Sequence, residues 1–223
     1  MSLHNQDSKS TLRQHVRQKL LAMTEAQRAG ASAQARELLK AQLQWREARS
    51  ILFFAPLAEE LDVWPLVGEA LGAGMRVFLP RFVNTGEKPL KRFGDPRRPA
   101  DTQLKQGVNE RGLTPGSGRY VVCEIRDLEK DIRLGQFGIR EPVGACAELP
   151  LNRLDLILVP GVAFDLHGRR LGRGKGFYDT LLAVVRGTTC GVAFDEQIVG
   201  EVPVEPHDVH VNCILTPTRW IAL

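Results

Sequence analysis

"LDLILVPGVAFDLHGRRLGRGKGFYD", Leu154 to Asp179, decides the fold. Leu154 to Val159 reads as the strongest buried strand of the chain. It runs into a loop with glycines at 172, 174 and 176, and that loop opens a helix. Phe177, Leu181, Val184 and Val185 fall at i, i+4, i+7 and i+8 and mark the expected buried face.

The same alternation continues outward. "SILFFAP", Ser50 to Pro56, is a short continuous apolar run, the pattern of a strand covered on both faces. "LDVWPLVGEALGAG" follows as a helix, with Asp62 as N-cap, Pro65 in the first turn, and Gly72 and Gly74 ending it. "MRVFLP", Met75 to Pro80, is the next strand, so this unit should be parallel with a right-handed crossover. "RYVVCEI", "TTCGVAF" and "VNCILT" are further strands, the last taken as final. "DLEKDIRLGQFGIREP" reads as a helical turn and then loop, and "EQIVGEVPVEPHD" as a connection. At the start, residues 1–8 are polar and read as loose. Leu12, Val16 and Leu20 make Ser10 to Met23 amphipathic, and Thr24 with Gln27 forms a capping box for a second helix reaching about Gln44. The expectation is α/β: one three-layer Rossmann-like domain over 1–223, with a mostly parallel central sheet and helices on both faces. Residues 82–118, rich in Gly, Pro, Asn and charge, read as an exposed insertion centred on about 92–118.

Composition narrows the classes. Apolar residues are 43% of 223 and charged residues 25%, ordinary for a globular chain. A net charge of +4, with both signs interspersed, is too weak for a nucleic-acid footprint and suits a small anionic ligand. No apolar run approaches the ~20 residues of a membrane span, and the N-terminus has no apolar core of a secretory signal. Cys123, Cys146, Cys190 and Cys213 form no CxxC pair and sit among apolar or small residues. They read as buried reduced thiols, which points to a reducing, cytoplasmic setting.

The glycine loop is neither a Walker A loop, since Gly174-Lys175 is followed by Gly176, nor a dinucleotide fingerprint. Its physics still favours an anion. Backbone N–H groups of a glycine-rich turn converge on phosphate oxygens, a helix N-terminus follows, and Arg170, Arg173 and Lys175 add cations. Asp179 in the first helical turn suits the helix dipole, and equally suits a Mg²⁺ ligand beside a triphosphate. Lys9, Arg13 and Arg17 lie at i, i+4 and i+8, a repulsion that a bound anion would relieve and that a solvated face also tolerates. Glu60 by itself reads as a loop carboxylate. His207 and His210 flank Asp208 without a partner motif for a transition metal.

"DLILVPGVAFDLHGRRLGRGKGFYDTLL" closely resembles the signature of the 5-formyltetrahydrofolate cyclo-ligases. "KSTLR", "ILFFAPLAEELD", "VFLPR", "FGIREP" and "DEQIVGEVPVEPHDVHVNCILT" extend the resemblance over most of the chain, and only about 92–118 has no counterpart in compact members. The resemblance implies ATP- and Mg²⁺-dependent closure of 5-formyltetrahydrofolate to 5,10-methenyltetrahydrofolate, by phosphorylation of the formyl oxygen and attack by N10. It implies ATP contacts from Lys9, Arg13, Arg170, Gly172, Arg173, Gly174, Lys175, Gly176, Phe177 and Tyr178. Ala55, Glu60, Arg173, Lys175 and Phe177 would border the folate, Arg173 and Lys175 would carry the catalysis, and Asp179 and Asp208 would hold Mg²⁺. A tyrosine is usual where Phe177 stands. Arg81, at a strand end, is a further phosphate candidate. The implied partners are ATP and a polyglutamylated folate, with no nucleic acid and no membrane, and the implied state is a monomer. A sugar-phosphate isomerase-like enzyme on a related fold is the alternative, distinguished by having no need of nucleotide.

Overall fold

The computed structural model describes residues 2–84, 118–135, 139–143, 153–174, 177–205 and 208–223. Seven strands form one sheet: β1 (Ser50–Leu52), β2 (Arg76–Asn84), β3 (Gly118–Ile125), β6 (Leu156–Pro160), β9 (Thr188–Val192), β11 (Cys213–Leu215) and β12 (Trp220–Ala222). Their order is β12-β11-β9-β6-β1-β2-β3. The five inner strands are parallel, and β3 and β12 close the two edges antiparallel. In chain order the parallel strands run 2-1-3-4-5, so the winding reverses between β1 and β6. In open α/β sheets ligands sit at such a reversal, beyond the carboxyl ends of the strands.

Strand alternation builds two cores. Ile51, Val77, Leu79, Leu156, Leu158, Cys213 and Leu215 face one side. There they meet Val16 and Leu20 of α1 (Ser2–Ala22), Ala35 and Leu39 of α2 (Glu25–Ala41), and Leu66, Val67 and Ala70 of α4 (Trp64–Gly72). Leu52, Phe78, Ile157, Val159 and Ile214 face the other side, covered by Leu181 and Leu182 of α5 (Phe177–Leu182) and by Phe164. Each fully buried side chain of this size contributes about 1.5–3 kcal/mol. The expected three layers are present but unequal: most of the helical cover lies on one face, and α5 is short. Among the described residues no helix is long and apolar enough to cross a membrane.

Local expectations hold where the signal is chemical. Thr24 caps α2: its Oγ1 accepts from Gln27 N at 3.2 Å, and Gln27 Oε1 accepts from Thr24 N at 2.8 Å. Pro65 occupies the first turn of α4. Asp62 is displaced one residue from the expected cap position, which Val63 takes, yet its Oδ1 still accepts from Trp64 N.

Several expectations need correction. Residues 2–8 belong to α1, because no Gly or Pro interrupts the helix before Ala22. The second helix stops at Ala41, and α3 (Leu43–Arg46) is a separate turn. Val184 is 50% exposed, because α5 ends at Leu182 before the pattern completes. The stretch expected as loop after β3 contains a paired hairpin, β4 (Ile132–Leu134) with β5 (Arg140–Pro142). β2 runs four residues past Pro80, because Val77 to Asn84 pair with β3. The connection after β9 contains β10 (Ile198–Val199), and "VNCILT" is followed by another strand. Residues 85–117 lie outside the described residues, so most of the proposed insertion does too; its last residue, Gly118, starts β3.

Cys123, Cys190 and Cys213 are buried and unbridged, and Cys146 lies outside the described residues. Cys190 and Cys213 are register partners on β9 and β11, and burial, with Cys213 alongside, pushes the Cys190 thiol well above its usual value. Buried thiols held in this neutral form are inert.

Candidate functional site

Three loops leave the carboxyl ends of adjacent parallel strands, and helix α1 bonds to two of them, those after β6 and β9. The loop after β1 carries Ala55, Glu59 and Glu60. After β6, a tight antiparallel pair, β7 (Ala163–Asp165) with β8 (Arg170–Leu171), lifts the chain before the glycine loop begins. This pair is why about ten residues separate the strand from the glycines. The loop after β9 carries Gln197, Glu205 and Asp208.

Local geometry calls for a glycine at position 174. Gly174 has φ +85°, a left-handed conformation that other residues enter at a cost. A Cβ on Gly172 would meet Arg170 Nη1 at 2.8 Å. Lys175 and Gly176 lie outside the described residues, as do Pro206 and His207 and the side chain of Phe177.

Cations and carboxylates pair across the site. Arg13 Nε donates to Gly172 O at 3.0 Å, which fastens α1 to the glycine loop. Lys9 Nζ reaches Glu205 Oε1 at 3.1 Å and Asp208 Oδ2 at 3.4 Å. Arg17, the third cation of that stripe, is exposed. Arg173 Nη2 reaches Glu60 Oε1 at 2.9 Å and Glu59 Oε1 at 3.4 Å. Glu60 is itself oriented, since its Oε2 accepts from Leu57 N at 3.0 Å. Arg170 is nearly enclosed, with a 5% exposed side chain. It donates to Asp179 Oδ1 and to Pro160 O, and its guanidinium lies 5.6 Å from the Tyr178 ring centroid. Arg81 Nη1 donates to Val143 O at 2.8 Å, fastening β2 to the end of β5.

Sequence reading thus names residues that the fold brings together: Lys9, Arg13, Glu60, Arg170, Gly172, Arg173, Tyr178, Asp179 and Asp208. It missed Glu59, Glu205, Asp165 and Gln197. Asp165 is fully buried. Burial raises its carboxyl, but N–H donors from Val202 and His167 and the Arg169 guanidinium outweigh this and hold it below the usual carboxylate range. Gln197 Nε2 donates to Gly161 O at 2.8 Å and Val162 O at 3.1 Å, fixing the exit from β6. The Asp-x-x-Gly-Arg pattern in "DLHGR" is a turn signal that could have found Asp165, and nothing local marks Gln197.

Among the described residues no three His, Cys, Asp or Glu side chains gather as a metal site. Asp179 and Asp208 each carry a cation on one oxygen. Two hard oxygen donors fit Mg²⁺, which is bound through one or two carboxylates together with phosphate oxygens and water, better than they fit a softer ion. The arrangement is therefore suited to a phosphorylated anion: alternating fixed charges, a glycine turn and a helix N-terminus.

The profile of the 5-formyltetrahydrofolate cyclo-ligase family matches residues 5–217. The 5-formyltetrahydrofolate cyclo-ligase of Mus musculus is 27% identical over 214 residues, covering 93% of each chain. That of Escherichia coli K12 is 28% identical over 208 residues, covering 92% of this chain and 97% of the relative. The solved structure of Aquifex aeolicus 5,10-methenyltetrahydrofolate synthetase superposes with a TM-score of 0.73 at 28% identity, over 96% of this chain and 92% of that one. Lys9 and Arg13 of α1, the glycine loop and the loop after β9 all fall inside the matched span, and this chain is an enzyme of the 5-formyltetrahydrofolate cyclo-ligase family.

Proposed function

We propose that the enzyme closes 5-formyltetrahydrofolate to 5,10-methenyltetrahydrofolate at the expense of ATP, which leaves as ADP and phosphate. The supporting observation is the convergence of α1 and the glycine loop: Arg13 holds Gly172 O, and Lys9 stands at Asp208. This gathers cations and bare backbone at the end of the sheet where α/β ligands bind.

A formamide oxygen is a poor leaving group. Transfer of the γ-phosphoryl group to it makes a good one; N10 then bonds to the formyl carbon and inorganic phosphate departs with the oxygen. Little of this requires covalent help from the protein, so positioning and charge neutralisation carry the rate. Lys9, Arg13, Arg173 and Lys175, with the backbone of Gly172, Gly174 and Gly176, would neutralise and orient the phosphates. Arg170 would hold Asp179 and back the first turn of α5, with Phe177 and Tyr178 beside the nucleotide. Arg173 and Lys175 would lie between the two substrates and neutralise the transferring group. Ala55, Glu60 and Phe177 would border the pterin, and Glu60 keeps Arg173 in place. Asp179 and Asp208 would hold Mg²⁺, which when bound offsets phosphate charge.

The working unit is taken as a monomer. Unbridged buried cysteines suit the cytoplasm, and a polyglutamylated folate is the substrate form expected there. The test is direct: purified enzyme with 5-formyltetrahydrofolate should develop methenyl absorbance only when ATP and Mg²⁺ are both present. Absorbance that develops without nucleotide would overturn the reading.

A further inference from the structure

Asp165 closes β7 and has no solvent exposure. A buried carboxylate is costly unless its oxygens are fully engaged. Oδ1 accepts from His167 N at 2.9 Å and from Arg169 N at 3.2 Å. Oδ2 accepts from Arg169 Nε at 2.6 Å and from Val202 N at 2.8 Å. The two oxygens therefore do different things. Oδ1 shapes the turn that leads into Arg170 and the glycine loop. Oδ2 crosses to a segment far along the chain: Val202 begins the stretch that carries Glu205 and Asp208. Beside this link β10 pairs with β7, with Val199 opposite Asp165.

We propose that Asp165 is a positioning residue for the nucleotide. Its single carboxylate fixes the spacing between the glycine loop, with Arg170 and Asp179, and the 202–208 segment, with Asp208 against Lys9. The inference rests on the proposed nucleotide roles of those two segments. The folate side has a second anchor, because Glu60 holds Arg173 from the loop after β1, and the segment that begins at Val202 carries none of the residues assigned to the folate. Loosening the Val202 link should therefore weaken nucleotide handling and spare the folate.

Asp165→Asn separates the two roles. Its carbonyl oxygen can keep the turn made by Oδ1, but its NH₂ can accept neither from Val202 N nor from Arg169 Nε. Residues that support a site at one remove typically cost 10- to 100-fold when changed, so KM for ATP should rise about tenfold or more, with KM for 5-formyltetrahydrofolate within about twofold. Calorimetric titration with MgATP should weaken in parallel. A purely structural role would lower the active fraction, and so kcat, without moving either KM. Unchanged KM values, or KM values that rise together, would overturn the inference. If Asp165→Asn does not fold, Asp165→Ser, whose hydroxyl can serve the turn but does not span to Val202, should give the same split, and its absence there would overturn the inference equally. A wild-type enzyme that neither turns over nor binds MgATP would overturn the proposed function and this inference with it. A wild type that does both, beside an Asp165 variant with unaltered KM for ATP, overturns the inference alone.

Discussion

Asp179 shares one oxygen with a nearly buried arginine while its own side chain is 42% exposed. That combination holds a carboxylate in one orientation at a surface reachable by ligand. Asp179→Asn keeps the volume and loses the charge. It should cost about 10- to 100-fold in kcat/KM in protein that still unfolds cooperatively; activity near wild type would remove Asp179 from the site. Glu60 is different, 11% exposed and gripping Arg173 from the β1 side. Hydrogen bonds to charged groups are worth about 1.5–3 kcal/mol. Glu60→Gln should raise KM for 5-formyltetrahydrofolate about tenfold, the kinetic equivalent of about 1.4 kcal/mol, and leave KM for ATP near its starting value. Initial rates with each substrate varied in turn decide between that outcome and a loss spread over both. The identities of these residues were legible in the sequence, but their partners were not: Arg173 and Glu60 are 113 positions apart.

At the scale of elements, the join between β1 and β6 is held by strand pairing and by two side chains, Ser50 and Asp155. Asp155 Oδ2 accepts from Arg49 N, Ser50 N and Ser50 Oγ, tying the start of β1 to the start of β6. Burial raises its carboxyl, but those three donors lower it more, and it lies below its ordinary value. A depressed carboxyl stabilises the folded state above its unfolded pKa of about 3.9, and that contribution is lost as pH falls through the lower folded value. Asp155→Asn removes the titration. The stability gap between wild type and Asp155→Asn, read from urea unfolding, should therefore be full near neutrality and narrow on acidification. A gap independent of pH would show that the carboxylate charge contributes nothing at this join. Periodicity and capping chemistry located most elements, since both act within a turn or two. They misjudged elements whose existence depends on a partner: β4, β5 and β10 are short and half-exposed and form because a neighbouring strand supplies their hydrogen bonds.

For the whole molecule, β2 and β3 are paired out to Asn84 opposite Gly118. The ends flanking residues 85–117 thus already lie side by side at a sheet edge, and joining them by a short turn asks for no change in the core. Loop length itself alters closure entropy only slowly, about 0.6 kcal/mol per doubling. A chain with 85–117 replaced by a two- to five-residue hairpin turn should unfold cooperatively with a comparable midpoint and keep turnover within about threefold of wild type. A large loss of kcat with intact folding would instead place that segment in the catalytic cycle. The sequence by itself determined the layered α/β class, the strand-to-glycine-loop-to-helix passage and the residue types at the site, because apolar periodicity, capping and glycine spacing act between near neighbours. Tertiary structure alone decided that the winding reverses between β1 and β6, that Lys9 meets Glu205 and Asp208 from the opposite end of the chain, and that Asp165 reaches Val202. Those contacts depend on strand order and on how far each loop rises from the sheet, and neither is encoded within any single stretch of residues.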